Sequence, residues 1–152
     1  MKKIKYYIPA IIWMIFIFMM SNANGNDSSA QSNVLVDLVI NLVHINKETL
    51  SFLIRKASHM SEYAILLALL YYALSKTFTY KYNLLLSFIF AFLYACSDEF
   101  HQLFIPGRSG QFRDVLIDSS GALIMLLIII CIKKIFLNRH FSQLKPSEDV
   151  YL

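Results

Sequence analysis

Apolar and polar residues alternate in long blocks along this chain, and four of the apolar blocks stand out. The first covers residues 4–20 (IKYYIPAIIWMIFIFMM) and the second about 57–74 (ASHMSEYAILLALLYYAL). The third covers 82–102, apolar through Cys96 and polar at its end, and the fourth 115–132 (VLIDSSGALIMLLIIICI). A helix that crosses a bilayer needs about 17–25 mostly apolar residues. Runs this long without turn signals predict helices, since an open sheet edge is not tolerated in lipid. The expected fold class is an all-α integral membrane protein, a four-transmembrane-helix bundle within residues 4–135.

The polar blocks define the connections. Residues 21–54 begin with SNANGNDSSAQS, a polar loop, and continue with NVLVDLVINLVH. In the latter Val34, Leu35, Leu38 and Leu42 fall near one side, with Asp37, Asn41 and His44 more polar. This segment reads equally as a helix on the membrane surface or as an ordinary packed helix. Residues 136–152 read as a short, loose polar tail. The first block also has the layout of a secretion signal: Lys2, Lys3 and Lys5, an apolar run, then Ser21-Asn22-Ala23. Its length and aromatic content favour a retained anchor, and cleavage would leave the other three helices unchanged.

Composition agrees with a membrane location. Of 152 residues, 57% are hydrophobic and 16% charged, which a soluble domain of this size could not bury. The basic balance, pI about 9.1, does not point to nucleic acid, because the charges sit at the ends of the apolar blocks. With the N-terminus in the cytoplasm, Lys2, Lys3, Lys5, Lys76, Lys81, Lys133, Lys134, Arg139 and Lys145 are cytoplasmic, whereas Lys47, Arg55, Lys56, Arg108 and Arg113 are not. This bias favours both ends inside. Cys96 and Cys131 lie in different blocks and read as core residues rather than a disulfide.

The same topology gathers a polar cluster at the outer ends of the last three helices, an expected extracytoplasmic pocket. It contains Arg55, Lys56, His59, Glu62, Asp98, Glu99, His101, Gln102, Arg108, Asp114 and Asp118. Glu62 and Asp118 lie a turn or more inside apolar blocks, where ionisable groups normally face a bundle interior or a wet cavity. Helical phase supports a shared interior. Ser87, Ala91, Tyr94, Asp98 and Gln102 form one face of the third helix, and Asp114, Asp118, Gly121 and Met125 one face of the fourth. Gly121 would let a neighbouring helix approach Asp118. In the second helix Arg55, His59, Glu62 and Tyr63 share one side. Ala57, Ser61, Ala64 and Ala68 line another, either facing lipid or packing against the surface segment or a second copy in a homo-oligomer.

Structural roles account for some of these groups. Arg55 and Lys56 can snorkel as interface anchors, and His59 can be a satisfied interfacial imidazole. Asp98 and Glu99 can clasp Arg108 and Arg113. Asp114 suits the first turn of a helix, and Pro106-Gly107 is first a turn signal. Glu62 is the hardest to explain this way. His59 with Glu62, and Asp98 with His101, stand at i, i+3, a spacing by which facing helices share a metal. No HExxH or CxxC signature accompanies them, so neither a metal nor another cofactor is expected. Glu62, Asp98 and His59 could serve acid–base chemistry, and Arg108 could hold a phosphate or carboxylate.

The stretches RKASHMSEYAILLALL and FLYACSDEFHQLFIPGRSGQFRDVLIDSSGALI resemble the VanZ-like family of small membrane proteins. Lys56, His59, Glu62 and Tyr63 carry its K-x-x-H-x-x-E-Y pattern. Asp98, Glu99, Gln102, Phe104, Pro106, Gly107 and Arg108 carry its D-E-x-x-Q-x-F-x-P-G-R pattern, which continues through Asp114 and Asp118 to Gly121. The resemblance runs from about Trp13 to Leu127. Met125 replaces a small residue frequent in the family, and the serine-rich loop lacks the family's glutamine. The resemblance implies a multi-pass protein of the bacterial cell membrane, linked to glycopeptide and specifically teicoplanin resistance. Its implied ligand-binding residues are Lys56, His59, Glu62, Tyr63, Asp98, Glu99, Gln102, Arg108, Asp114 and Asp118. The expected partners are membrane lipids and an envelope precursor or lipophilic glycopeptide. Two other readings are open: an intramembrane hydrolase, acid–base or metal-dependent, acting on an envelope lipid or peptide, and a transporter subunit.

Overall fold

The computed structural model describes residues 3–22, 35–40 and 45–143, with side chains through Asn138. Most of the loop predicted after the first helix, residues 41–44, the side chain of Arg139, and Lys145, Glu148 and Asp149 lie outside the described residues. All regular structure among the described residues is helical. A 3₁₀ turn, Ile4–Tyr6, leads into α1, Ile8–Ser21. The break falls at Pro9, which has no N–H and whose ring would clash with the carbonyl four residues back, so the apolar run cannot be one α-helix from its start. Then follow α2 (Lys47–Leu74), α3 (Tyr80–Gln102) and α4 (Phe112–Gln143).

Two boundaries differ from the apolar pattern. α2 begins at Lys47 rather than near Ala57, because Asn46 caps it. The Asn46 side-chain oxygen accepts the Glu48 N–H at 2.8 Å, and Glu48 favours the positive end of the helix. α4 continues past Ile132 to Gln143, so the first part of the expected loose tail is helical. Charged and aromatic residues after Ile132 end the apolar pattern without breaking the helix, since no Pro or Gly interrupts it. Residues 35–39 form a short helix with Val36 fully buried, tied to α2 by Asp37 and Lys47 at 2.8 Å.

The four helices alternate in direction. At one end the Tyr6 and Tyr72 rings meet at 6.0 Å, Lys76 lies over both, and Lys133 lies over Tyr80. At the other end Arg108 donates to the Met20 carbonyl, and Lys56 of α2 pairs with Asp114 of α4. The interior between them holds Ile17, Tyr63, Leu66, Leu67, Ala91, Ala95 and Ala122. Small residues let the helices approach closely. A β-carbon on Gly121 would overlap the backbone carbonyl of Met60, so α2 and α4 touch main chain to main chain there, as the position of Gly121 predicts. Trp13 Nε1–H donates to the Glu62 carbonyl at 2.9 Å and the Tyr94 hydroxyl to the Met14 carbonyl at 2.5 Å, tying α1 to α2 and α3.

Polarity is inverted relative to a soluble bundle. Ile12, Ile15, Leu85, Leu93, Leu123 and Leu127 are exposed, while Asn83, Ser87, Asp98, Glu99, Gln102 and Asp118 are buried. Among the described residues two helices are long and apolar enough to cross a membrane, Tyr80–Gln102 and Phe112–Asn138, and Ile8–Ser21 is a shorter apolar helix. α2 has the length, but its polar first half keeps it out of that class. Both cysteines are free thiols; Cys96 is half-buried, but Cys131 is exposed rather than in the core, because it falls on the outward face of α4.

Candidate functional site

The end of α3 supplies the centre of the polar cluster. Asp98, Glu99 and Gln102 fall at i, i+1 and i+4, so all three turn to the interior, with exposures of 3%, 5% and 4%. Gln102 Nε2 donates to Asp98 Oδ2 at 3.3 Å and to Glu99 Oε1 at 3.2 Å. The chain then reverses. Pro106 and Gly107 occupy the middle of a turn closed by the Arg108 N–H on the Ile105 carbonyl at 3.1 Å. Gly107 has φ 76°, which this turn type requires at its third position. The turn brings Gln111 back, and its N–H donates to Glu99 Oε2 at 3.1 Å.

α4 adds Asp114 and Asp118 one turn apart. Asp118 is 2% exposed. Asp114 meets Lys56 Nζ at 2.6 Å, with both side chains largely covered, so Lys56 turns inward rather than snorkelling. Here Asp114 is an ion-pair partner as well as a first-turn acid. From α2, His59 Nδ1 stands 3.7 Å from Glu62 Oε2, within ion-pair range but too far for a hydrogen bond. Tyr63 is fully buried beside Asp98 and Asp118. Arg108 donates to the Met20 carbonyl at 3.2 Å and is in electrostatic reach of Asp98, Glu99 and Glu62. Partial burial first, and Arg55 second, pull the Arg108 pKa below its ordinary value, leaving it a cation.

A polar recess of about 70 Å³ opens among these groups, lined by residues including Arg55, Lys56, His59, Glu99, Arg108 and Asp118. The three helices and the turn between α3 and α4 bring together Lys56, His59, Glu62, Tyr63, Asp98, Glu99, Gln102, Arg108, Asp114 and Asp118. His101 turns towards α1, its ring against Phe18 at 4.6 Å, and stays within electrostatic reach of Asp98. Arg113 is exposed. Of His59, Glu62, Asp98 and His101, only Asp98 belongs to the closest carboxylate group, which it forms with Glu99 and Asp118.

Several buried polar atoms here have no hydrogen-bond partner among the described residues: Asp98 Oδ1, Asp118 Oδ2, the Tyr63 hydroxyl, His59 Nδ1, His101 Nε2 and the Ser21 and Ser119 hydroxyls. Such groups are rare in folded proteins and costly in a dry interior. Sequence reasoning did not single out Ser21 or Ser119. Ser119 had a signal in its place next to Asp118; Ser21 comes to the site only through the packing of α1. Chemically, the recess can bind an anion through its cations or a cation through its carboxylates, and can exchange protons.

No curated protein and no solved structure matches the chain. The VanZ/LLP1 family matches over residues 6–136, a span that contains all four long helices up to the Lys133 end and every side chain of the recess. With the inverted polarity of the bundle, this makes the protein a helical membrane protein. The chain belongs to the VanZ/LLP1 family.

Proposed function

We propose that the chain crosses the bacterial cell membrane four times with both ends cytoplasmic. On this reading the recess faces outward and binds the anionic part of an envelope lipid or lipophilic glycopeptide, and thereby lowers susceptibility to teicoplanin. Several observations support it. Lys5, Lys76 and Lys133 meet Tyr6, Tyr72 and Tyr80 at one end of the bundle, the arrangement of a cytoplasmic interface. The observation that carries the binding role is the recess itself, where Arg55, Lys56 and Arg108 border a polar opening in an otherwise apolar exterior. Three cations at one mouth suit a phosphate or carboxylate. An intramembrane hydrolase is the second reading, favoured by the crowding of Asp98, Glu99 and Asp118.

Teicoplanin susceptibility in a Gram-positive host, normalised to membrane protein level, tests the function, with vancomycin beside it. Glu62→Gln, Asp98→Asn and Arg108→Ala should insert normally and lose protection well beyond any change in abundance. Wild-type protein giving no protection would remove the resistance role. Full activity of all three variants would remove the recess as its site. For topology, a cysteine at Ser109 should react with an impermeant thiol reagent in intact cells and one at Thr79 should not, in a background without Cys96 and Cys131. The opposite pattern would reverse the orientation.

A further inference from the structure

The carboxylates lining the recess and packed behind it outnumber the cations there. Glu62, Asp98, Glu99, Asp114 and Asp118 meet Arg55, Lys56 and Arg108, leaving an excess of two negative charges if all are ionised. The excess is concentrated. One oxygen each from Asp98, Glu99 and Asp118 lie within 4.8 Å of one another, on side chains at least 95% buried. The nearest lysine, Lys56, is held by Asp114 at 2.6 Å rather than by this trio.

We propose that Asp98, Glu99 and Asp118 form a binding site for one hard divalent cation of the Mg²⁺, Mn²⁺ or Ca²⁺ class, at the junction of α3 and α4.

Four features support the assignment. Among the described residues, Asp98 Oδ1 and Asp118 Oδ2 are buried with no hydrogen bond of good geometry, although the Ser21 hydroxyl stands close enough to Asp98 to interact with it, so each oxygen keeps a lone pair for a ligand. The Tyr63 hydroxyl, fully buried beside these two acids, also lacks a partner, although it is not itself one of the acidic group. It would suit a water in a cation's remaining coordination positions. On α3 the remaining carboxylate oxygens are already fixed: Gln102 orients Asp98 and Glu99, and the Gln111 N–H holds Glu99. Outer partners of this kind are what keep metal ligands in place. Finally, the donor set is all oxygen, which suits Mg²⁺, Mn²⁺ or Ca²⁺ rather than zinc or copper. A divalent ion also cancels the charge excess that remains after Arg108 and Lys56 are counted against these carboxylates.

The site differs from the i, i+3 pairs of the sequence, because two of its ligands are neighbours on α3 and the third comes from α4. It goes beyond the binding of an anionic envelope ligand and stands whether or not the recess confers drug protection.

The test uses the full chain, purified in detergent and stripped with a chelator. Mn²⁺ is titrated while its free signal is followed by electron paramagnetic resonance. About one Mn²⁺ per chain should bind and be displaced by Mg²⁺ or Ca²⁺. Asp98→Asn and Asp118→Asn should each weaken binding roughly tenfold or more. Glu48→Gln, an exposed acid of the first turn of α2, should not. Helical circular dichroism and monodisperse elution establish that each variant is folded; if one is not, Glu99→Gln replaces it. Mn²⁺ should also raise the thermal transition of the wild type and leave that of the ligand variants unmoved. Absence of saturable Mn²⁺ binding to the wild type would overturn the proposal. So would binding that survives in the folded ligand variants.

Discussion

The bundle buries polar side chains at both ends, and the two groups are built on opposite terms. Near the α2–α3 turn, Asn83 and Ser87 are almost wholly enclosed and neutral. Asn83 Nδ2 donates to the Tyr71 carbonyl at 3.1 Å, and the Ser87 hydroxyl lies 2.7 Å from the Asn83 carbonyl and 3.2 Å from its side-chain oxygen. The donors are spent within the protein, so the pair fastens α3 to the last turn of α2. At the far end the buried groups are charged, and several oxygens have nothing to accept. A satisfied neutral pair in a dry interior is a fastening. A charged set with unused atoms is costly by itself and is explained by something that binds. Position in the sequence does not separate the two, since both lie on the same face of α3.

The comparison can be broken most severely where the charged end depends on close backbone contact. Gly121→Val would drive side-chain carbons into the Met60 main chain and separate α2 from α4. We expect a loss of about 3 kcal/mol or more, seen as failure to recover monodisperse protein from the membrane. Normal recovery would show that the helices can part at that point without consequence. A sharper test sets the two ends against each other. Asn83→Ala should destabilise by about 1 kcal/mol, because it removes the side-chain bond that ties α3 to the Tyr71 carbonyl, while that carbonyl keeps the Ser75 N–H and the Ser87 hydroxyl keeps the backbone carbonyl of residue 83. Asp118→Asn, measured with chelator present, should have the opposite sign, a gain on the order of 1 kcal/mol from removing one of three crowded buried acids. Thermal melts in detergent give both signs, and equal losses would erase the distinction drawn here. The smallest effect belongs to Trp13→Phe. It keeps the ring stack on Phe16 but deletes the donor to the Glu62 carbonyl, for about 1 kcal/mol. Any protection conferred through the recess should be unchanged, since the indole touches Glu62 through its backbone and not its carboxylate.

Much of the candidate site is legible in the sequence. Helical spacing put Asp98 with Gln102 and Asp114 with Asp118 on shared faces, and the structure buries or half-buries all four. Charge inside an apolar block marked Glu62 and Asp118. Gly121 was legible because a glycine beside a buried acid signals close approach. Other features depended on pairings that sequence spacing does not encode. Lys56 with Asp114, Trp13 with the Glu62 carbonyl and Tyr94 with the Met14 carbonyl join different helices. The carboxylate trio combines residues some twenty positions apart, whereas local spacing favoured the i, i+3 histidine pairs. The early start of α2 was missed because capping by Asn46 is a polar event at the edge of a hydropathy pattern, and the extension of α4 because a helix need not end where its apolar run ends.

The polar first half of α2 has a consequence for how the protein is made. On the proposed topology of four crossings, this helix inserted by itself would expose Lys56, His59 and Glu62 to lipid, and among the described residues it is long but falls short of the apolar standard set by α3 and α4. Its charges find cover only when the carboxyl end of α3 and the amino end of α4 are beside it. α2 should therefore wait at the translocon, or at the membrane surface, until both later helices have been synthesised. Glycosylation reporters on ribosome-bound truncations would show it: chains ending before α4 should leave α2 largely uninserted, and early complete insertion would contradict this. Assembly of the site and entry of the helix would then be a single biosynthetic event.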